Sequence, residues 1–169
     1  MNILANKNRK GFTLVELLVV IAIIGLLAAF IYTNVTGAMA KGRDARRKSD
    51  LSEMQKAVEL YYVDNGKYPN TNGQWWGVCV NGGNHDISGA NAYIPGLTPK
   101  YMRELPVDPL DFRTDWSGYL YRSDGLNYKI LSHQTGPESF PLISQSFYDP
   151  VRPTWAWMVC SKEPACNEW

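Results

Sequence analysis

Glu16 is the residue of this chain whose type and place most plainly ask for chemistry, because it is the single formal charge in the run from Phe12 to Tyr32. A carboxylate costs on the order of 2.5–3.5 kcal/mol at the centre of a bilayer and less near its interface, so it needs a partner or a favourable position. Residue chemistry leaves two readings open: Glu16 neutralises a positive group, or it sits at a helix N-terminus, where negative charge is favoured. Other reactive side chains are sparse. His85 and His133 are the only histidines, neither a G-x-S-x-G elbow nor a phosphate-cradling loop is present, and Cys79 near His85 has no orienting group. Catalysis is therefore not expected. Cys79, Cys160 and Cys166 show no C-x-x-C or cysteine–histidine spacing suited to zinc. If they lie outside the cytoplasm, Cys160 and Cys166 can close a small loop across Pro164, and Cys79 with Cys160 is the next pairing. Asp108, Asp111 and Asp115 do not follow an EF-hand spacing and read better as turn formers. All six tryptophans lie from Trp75 onward, either as core residues or as an exposed aromatic surface of the kind that binds sugars.

These side chains must be positioned by two very different stretches. Phe12 to Tyr32 is about the ~20 residues that a helix needs to cross the hydrocarbon core, and it is longer than the apolar region of an ordinary signal peptide. No proline occurs before Pro69, so the helical signal continues. Val35, Ala38, Gly42 and Ala45, then Leu51, Met54, Val58 and Tyr61, recur at spacings of three and four, with Asp50, Glu53, Lys56 and Glu59 opposite them. Phe12 to Asn65 would make a rod of roughly 80 Å at 1.5 Å per residue, closed by Asn65-Gly66 as a left-handed cap. Beyond it the composition turns to glycine, proline and asparagine. Gly118–Arg122 and Tyr128–Ser132 alternate as strands around a Ser123-Asp124-Gly125 turn, and Trp155–Cys160 is a third strand with Trp155, Trp157 and Val159 on one face. Trp75–Val80 is a short strand or a pinned loop. Thr98-Pro99 predicts a short helix capped by Thr98, with Tyr101, Met102 and Leu105 on its packing side.

Charge divides the same way. Residues 1–65 hold nine Lys or Arg against six Asp or Glu, and the remainder eight against ten, so the head lacks the basic face of a nucleic-acid binder. Nucleic acid is not an expected partner.

Lys10-Gly11-Phe12-Thr13-Leu14-Val15-Glu16-Leu17 and the apolar run after it resemble the processing and anchor segment of type IV prepilins and type II secretion pseudopilins. The resemblance implies a leader over residues 1–11, cut by a prepilin peptidase after Gly11, and methylation of the Phe12 amino group. It also implies assembly through Phe12 and Glu16, the carboxylate of one subunit facing the amino group of its neighbour. Related proteins usually carry proline at the position of Thr33, so here Gly25 and Gly37 are the points where the helix would give. Lys41, Arg43, Arg46, Arg47 and Lys48 read as cytoplasmic by the positive-inside rule, whereas the processing motif places them outside. There they would meet acidic residues of adjacent subunits or outer headgroups.

Asp64–Pro69 and Tyr93–Pro109 also resemble the helix exit and pre-sheet loop of pseudopilins. Pseudopilins often bind calcium late in the head, but the corresponding His133–Ser139 offers one carboxylate against the six to eight oxygens calcium takes. No metal or cofactor is expected, with calcium the one candidate.

The expectation is an α+β, pilin-like fold, with a long N-terminal helix packed on a small antiparallel sheet. Its parts are the leader (1–11), an anchor helix (12–32), an amphipathic helix (33–65) and a β-rich head (66–169). By resemblance the chain is a structural subunit of a type IV pilus-like filament, held in the cytoplasmic membrane as a precursor and then extracellular. Its implied partners are copies of itself, an assembly ATPase and an inner-membrane platform protein. Two alternatives stay open: a pseudopilin of a periplasmic pseudopilus, and a minor or tip pilin with a ligand-binding head.

Overall fold

The computed structural model describes residues 11–110, 113–133, 138–140 and 145–169. Apart from Gly11, the expected leader lies outside them. Two compact units divide the chain, Met1–Met39 and Ala40–Trp169. One helix, α1 (Leu14–Asn65), supplies most of the first unit and enters the second. Within the first unit its large apolar side chains, from Leu14 to Phe30, are exposed. Its most apolar stretch has a mean hydropathy of 3.0 with none of it buried, which is the length and composition of a membrane span. The helix is unbroken at Gly25, Thr33 and Gly37.

Within the second unit α1 buries Asp44, Arg47, Leu51, Met54, Ala57 and Val58, a stripe repeating every three or four residues. The expected continuation through Val35, Ala38, Gly42 and Ala45 is not found, since these are exposed. The buried stripe instead starts with a polar pair, Asp44 and Arg47, which an apolar pattern cannot show. Gly66 then adopts φ +68° and donates to the Tyr62 carbonyl at 2.8 Å, ending the helix as expected.

Four strands form an antiparallel meander in chain order: β1 (Trp76–Gly77), β2 (Gly118–Ser123), β3 (Tyr128–His133) and β4 (Ala156–Cys160). The β2–β3 turn is the expected one. Asp124 Oδ1 accepts from the amides of Leu126 (2.8 Å) and Asn127 (2.7 Å), and Gly125 takes φ +91°. Alternation sends Tyr119, Tyr121, Tyr128, Ile130, Trp157 and Val159 into one core with Leu51, Met54 and Val58 of α1. The acidic flank of α1 accepts the tyrosine hydroxyls: Asp50 from Tyr119 at 2.7 Å, and Glu59 from Tyr128 at 2.8 Å and Tyr68 at 3.1 Å. Asp50 and Glu59, expected on the outward face, are thus seam residues between helix and sheet.

The other sheet face buries Leu120, Leu131 and Cys79, so β3 is covered on both sides. Lys129 on that face is fully buried, its Nζ 2.9 Å from Asp149 and 2.8 Å from the Trp169 main-chain oxygen. An isolated bridge between Tyr148 and Trp157 covers the outer edge of β4. The short helix α2 (Ala165–Glu168) follows, and Cys160 is disulfide-bonded to Cys166, leaving Cys79 as a buried thiol.

Two further expectations fail. No helix forms at Thr98-Pro99: residues 95–101 are turns, and the Thr98 hydroxyl accepts from the Gly89 amide at 3.2 Å instead of capping. Leu105 is buried as expected, with Tyr101 and Met102 packed against the core. Trp155 does not share a face with Trp157. It precedes β4, is 45% exposed and lies 5.3 Å from the His133 ring, on the far side of the sheet from α1.

Candidate functional site

At the start of α1 the structure resolves one of the two readings of Glu16 left open by its chemistry. Thr13 precedes the helix and Glu16 is its third residue. The Glu16 carboxylate accepts from the Thr13 amide at 2.9 Å and from its hydroxyl at 2.7 Å, while the Glu16 amide donates to that hydroxyl at 3.2 Å. This is a reciprocal capping box, T-x-x-E. Its value is largest where no water is at hand, because the first amides of a helix lack intrahelical acceptors. The box is legible in the sequence as Thr13-Leu14-Val15-Glu16, the T-x-x-E spacing of three residues. Both carboxylate bonds fall on Oε2. Phe12 beside it is 82% exposed.

The basic run on α1 has a different fate from the one expected. Arg47 is fully buried, its Nε and Nη2 gripping Asp108 at 2.8 and 3.0 Å while Nη1 reaches Asp44 at 2.8 Å and lies 3.5 Å from Glu138. Arg43 makes a second forked pair with Glu138, its Nη2 at 2.7 Å. Asp44 accepts from the Glu138 amide at 3.0 Å and the Ser139 hydroxyl at 2.7 Å. The Ser139 carbonyl accepts the Trp157 indole N–H at 2.8 Å, and Lys48 lies over the Trp157 ring. Arg46 adds a looser pair with Asp50 at 3.8 Å. Arg43, Arg47 and Lys48 therefore tie α1 to its own head rather than waiting for adjacent subunits or headgroups. Asp108 and Glu138 stand far off in sequence, so no local spacing could disclose the partners.

This knot also bears on calcium. Of the three candidate aspartates, Asp108 holds Arg47 and accepts the Leu110 amide at 3.0 Å, Asp115 takes a turn conformation at φ +40°, and Asp111 lies outside the described residues. In the His133–Ser139 stretch, residues 134–137 lie outside the description and the Glu138 carboxylate is occupied by Arg43. No group of three metal-ligating side chains occurs among the described residues. The described donors do not fit a calcium ion, because the cationic place among Asp44, Asp108 and Glu138 is filled by Arg47.

Burial opposes the charge of Arg47, but Asp108 and Asp44 outweigh it and hold the guanidinium above its ordinary value. Arg43, followed by Arg47, holds the Glu138 carboxyl below its ordinary range. A depressed carboxylate stabilises the folded form above its unfolded pKa of about 4.3 and loses that contribution as pH falls through the lower folded value. Hydrogen exchange at the Glu138 amide, corrected for intrinsic rate, is therefore expected to keep its protection at neutral pH and to lose it as the pH falls below about 4.3. Protection that stays level through that fall would show that the arginine pair does not hold the segment.

Comparison with known proteins gives a consistent set of matches. Residues 6–32 match the prokaryotic N-terminal methylation motif, and residues 34–138 match the family described as type II secretion system (T2SS), protein G. The type II secretion system core protein G of Dickeya chrysanthemi is 32% identical over 136 residues, covering 80% of this chain and 82% of that protein. That of Klebsiella pneumoniae is 32% identical over 136 residues, covering 80% and 89%. The type IV wide pilus major component PilA4 of Thermus thermophilus is 44% identical over 62 residues, covering 37% and 47%. No solved structure matches significantly.

Proposed function

Because the chain belongs to the type II secretion system protein G family, in which the N-terminal methylation motif, the apolar helix and the small antiparallel head all find their place, we propose that it is a pseudopilin. In this reading a prepilin peptidase cuts after Gly11 and the new amino group of Phe12 is methylated. The apolar part of α1 holds the precursor in the cytoplasmic membrane, and copies then polymerise through α1 into a periplasmic pseudopilus, driven by an assembly ATPase and a platform protein. The role is structural rather than catalytic. The observation that carries it is the division of α1: one stretch is wholly exposed and apolar, the other is built into the core of the head. An exposed apolar helix face has two places to go, lipid before assembly and neighbouring helices after it.

The pseudopilus takes precedence over a longer extracellular pilus because the relatives with the fullest coverage are secretion proteins. The pilus is kept as a second reading on the shorter match to a pilus component. Mass spectrometry of membrane and sheared fractions, with electron microscopy of the latter, separates the two. A chain starting at methylated Phe12 and retained in the cell envelope, whose deletion leaves exported proteins in the periplasm, is the expected result. Abundant sheared filaments made of this chain would establish the pilus instead, and an uncut leader would defeat both.

A further inference from the structure

On the sheet face turned away from α1, a cleft of about 220 Å³ opens between three indole rings, Trp75, Trp116 and Trp155, over Leu120, with His133 and Arg152 as its polar groups. Of the six tryptophans, Trp157 is fully buried in the core, whereas Trp116 and Trp155 at this cleft are 37% and 45% exposed. Large aromatic faces kept in water around a shared concavity are the mark of a binding surface rather than of a core.

Neighbouring side chains and main-chain oxygens brace the cleft. The Arg152 guanidinium lies 5.4 Å from the Trp75 ring centre, with its Nη1 fixed by the Trp169 main-chain oxygen at 2.7 Å, and Arg122 lies 5.8 Å from the same ring. His133 Nδ1 is 2.8 Å from the Trp116 carbonyl, so that nitrogen carries the proton and Nε2 is the acceptor. Burial pushes the imidazole pKa down, which keeps the ring neutral at pH 7.

We propose that this cleft binds one pyranose ring of a carbohydrate. Indole faces receive the apolar C–H faces of a sugar, while the His133 acceptor and the Arg152 donors serve its hydroxyls. The volume falls below the roughly 300–1,000 Å³ of sites for drug-sized ligands, which limits the occupant to a single ring. A cationic ligand is disfavoured by the Arg152 charge. Arg152 is already held by the Trp169 main-chain oxygen and by Asp149 at 3.4 Å, so a purely apolar ligand is disfavoured chiefly because it would desolvate His133 Nε2 without giving it a donor. Polymerisation through α1 does not require this site, so the two readings stand or fall separately.

The test uses the full mature chain in micelles of a detergent without a sugar headgroup, titrated with cellotetraose, chitotetraose and maltotetraose. Saturation-transfer NMR and tryptophan fluorescence are the readouts. Binding of at least one saccharide in the millimolar range is expected. Trp155→Ala should weaken it by about tenfold or more, and Trp155→Phe, which keeps an aromatic face, by less. Trp155 precedes β4 and is half exposed, so an unchanged thermal transition should show that the variant folds. Absence of binding to all three saccharides, or binding unaffected by both Trp155→Ala and Trp116→Ala, would overturn the proposal.

Discussion

Arg47→Ala should cost the head about 3–5 kcal/mol, a large share of the ~5–15 kcal/mol that holds a typical domain folded. The reason lies in what is left behind. Arg47 is fully buried and both oxygens of Asp108 accept from it, so its removal strands a carboxylate that is itself 5% exposed. Asp44 loses one partner but keeps the Glu138 amide and the Ser139 hydroxyl, which confines the damage mainly to Asp108. Urea unfolding followed by tryptophan fluorescence reads the head alone, because all six tryptophans lie in it. A second variant separates lost attraction from stranded charge. If the cost is the unpaired carboxylate, Arg47→Met with Asp108→Leu should recover at least about 2 kcal/mol relative to Arg47→Met, since apolar replacement of a whole buried pair is often neutral. A double variant no more stable than Arg47→Met would mean that Arg47 acts by filling space and not by pairing.

What was legible in the sequence and what was not follow from the range of the interactions involved. The apolar run from Phe12 and the stop at Asn65-Gly66 are set by neighbours along the chain, and both appear as expected. So do β2 and β3, whose turn carries its own local signal in Ser123-Asp124-Gly125. Thr98-Pro99 has the local grammar of a helix start, but Gly89 captures the Thr98 hydroxyl from outside the segment, and local grammar loses. The partners of Arg43 and Arg47 lie some 95 and 60 positions away, beyond any spacing rule, so two residues of a basic stripe read as facing outward became the inward knot of the fold. Trp155 shows the same failure at the end of a strand. Two-residue alternation assigned it to the face of Trp157, but it stands before β4 begins and joins His133 on the opposite side. The capping box is a different case, since Thr13 and Glu16 are three positions apart and were readable throughout.

That near partner makes the assembly role of Glu16 separable from its capping role. Glutamine serves as well as glutamate at the third position of a capping box, so Glu16→Gln keeps the bonds with Thr13 and removes only the charge. Thr13→Ala does the reverse, costing about 1 kcal/mol of capping while the carboxylate remains. If Glu16 faces the Phe12 amino group of the next subunit, Glu16→Gln leaves that amino group unpaired in a dry helix bundle. Loss of one partner of a buried pair costs about 3–5 kcal/mol, or at least a hundredfold in the concentration needed to polymerise. Glu16→Gln and Glu16→Ala should then fail alike, with Thr13→Ala assembling close to normally, as judged by filament yield from cells with equal precursor levels. Should Glu16→Gln assemble like the unsubstituted chain while Thr13→Ala fails, the carboxylate acts through the helix terminus, and subunit register must come from the packing of the exposed apolar face of α1 instead.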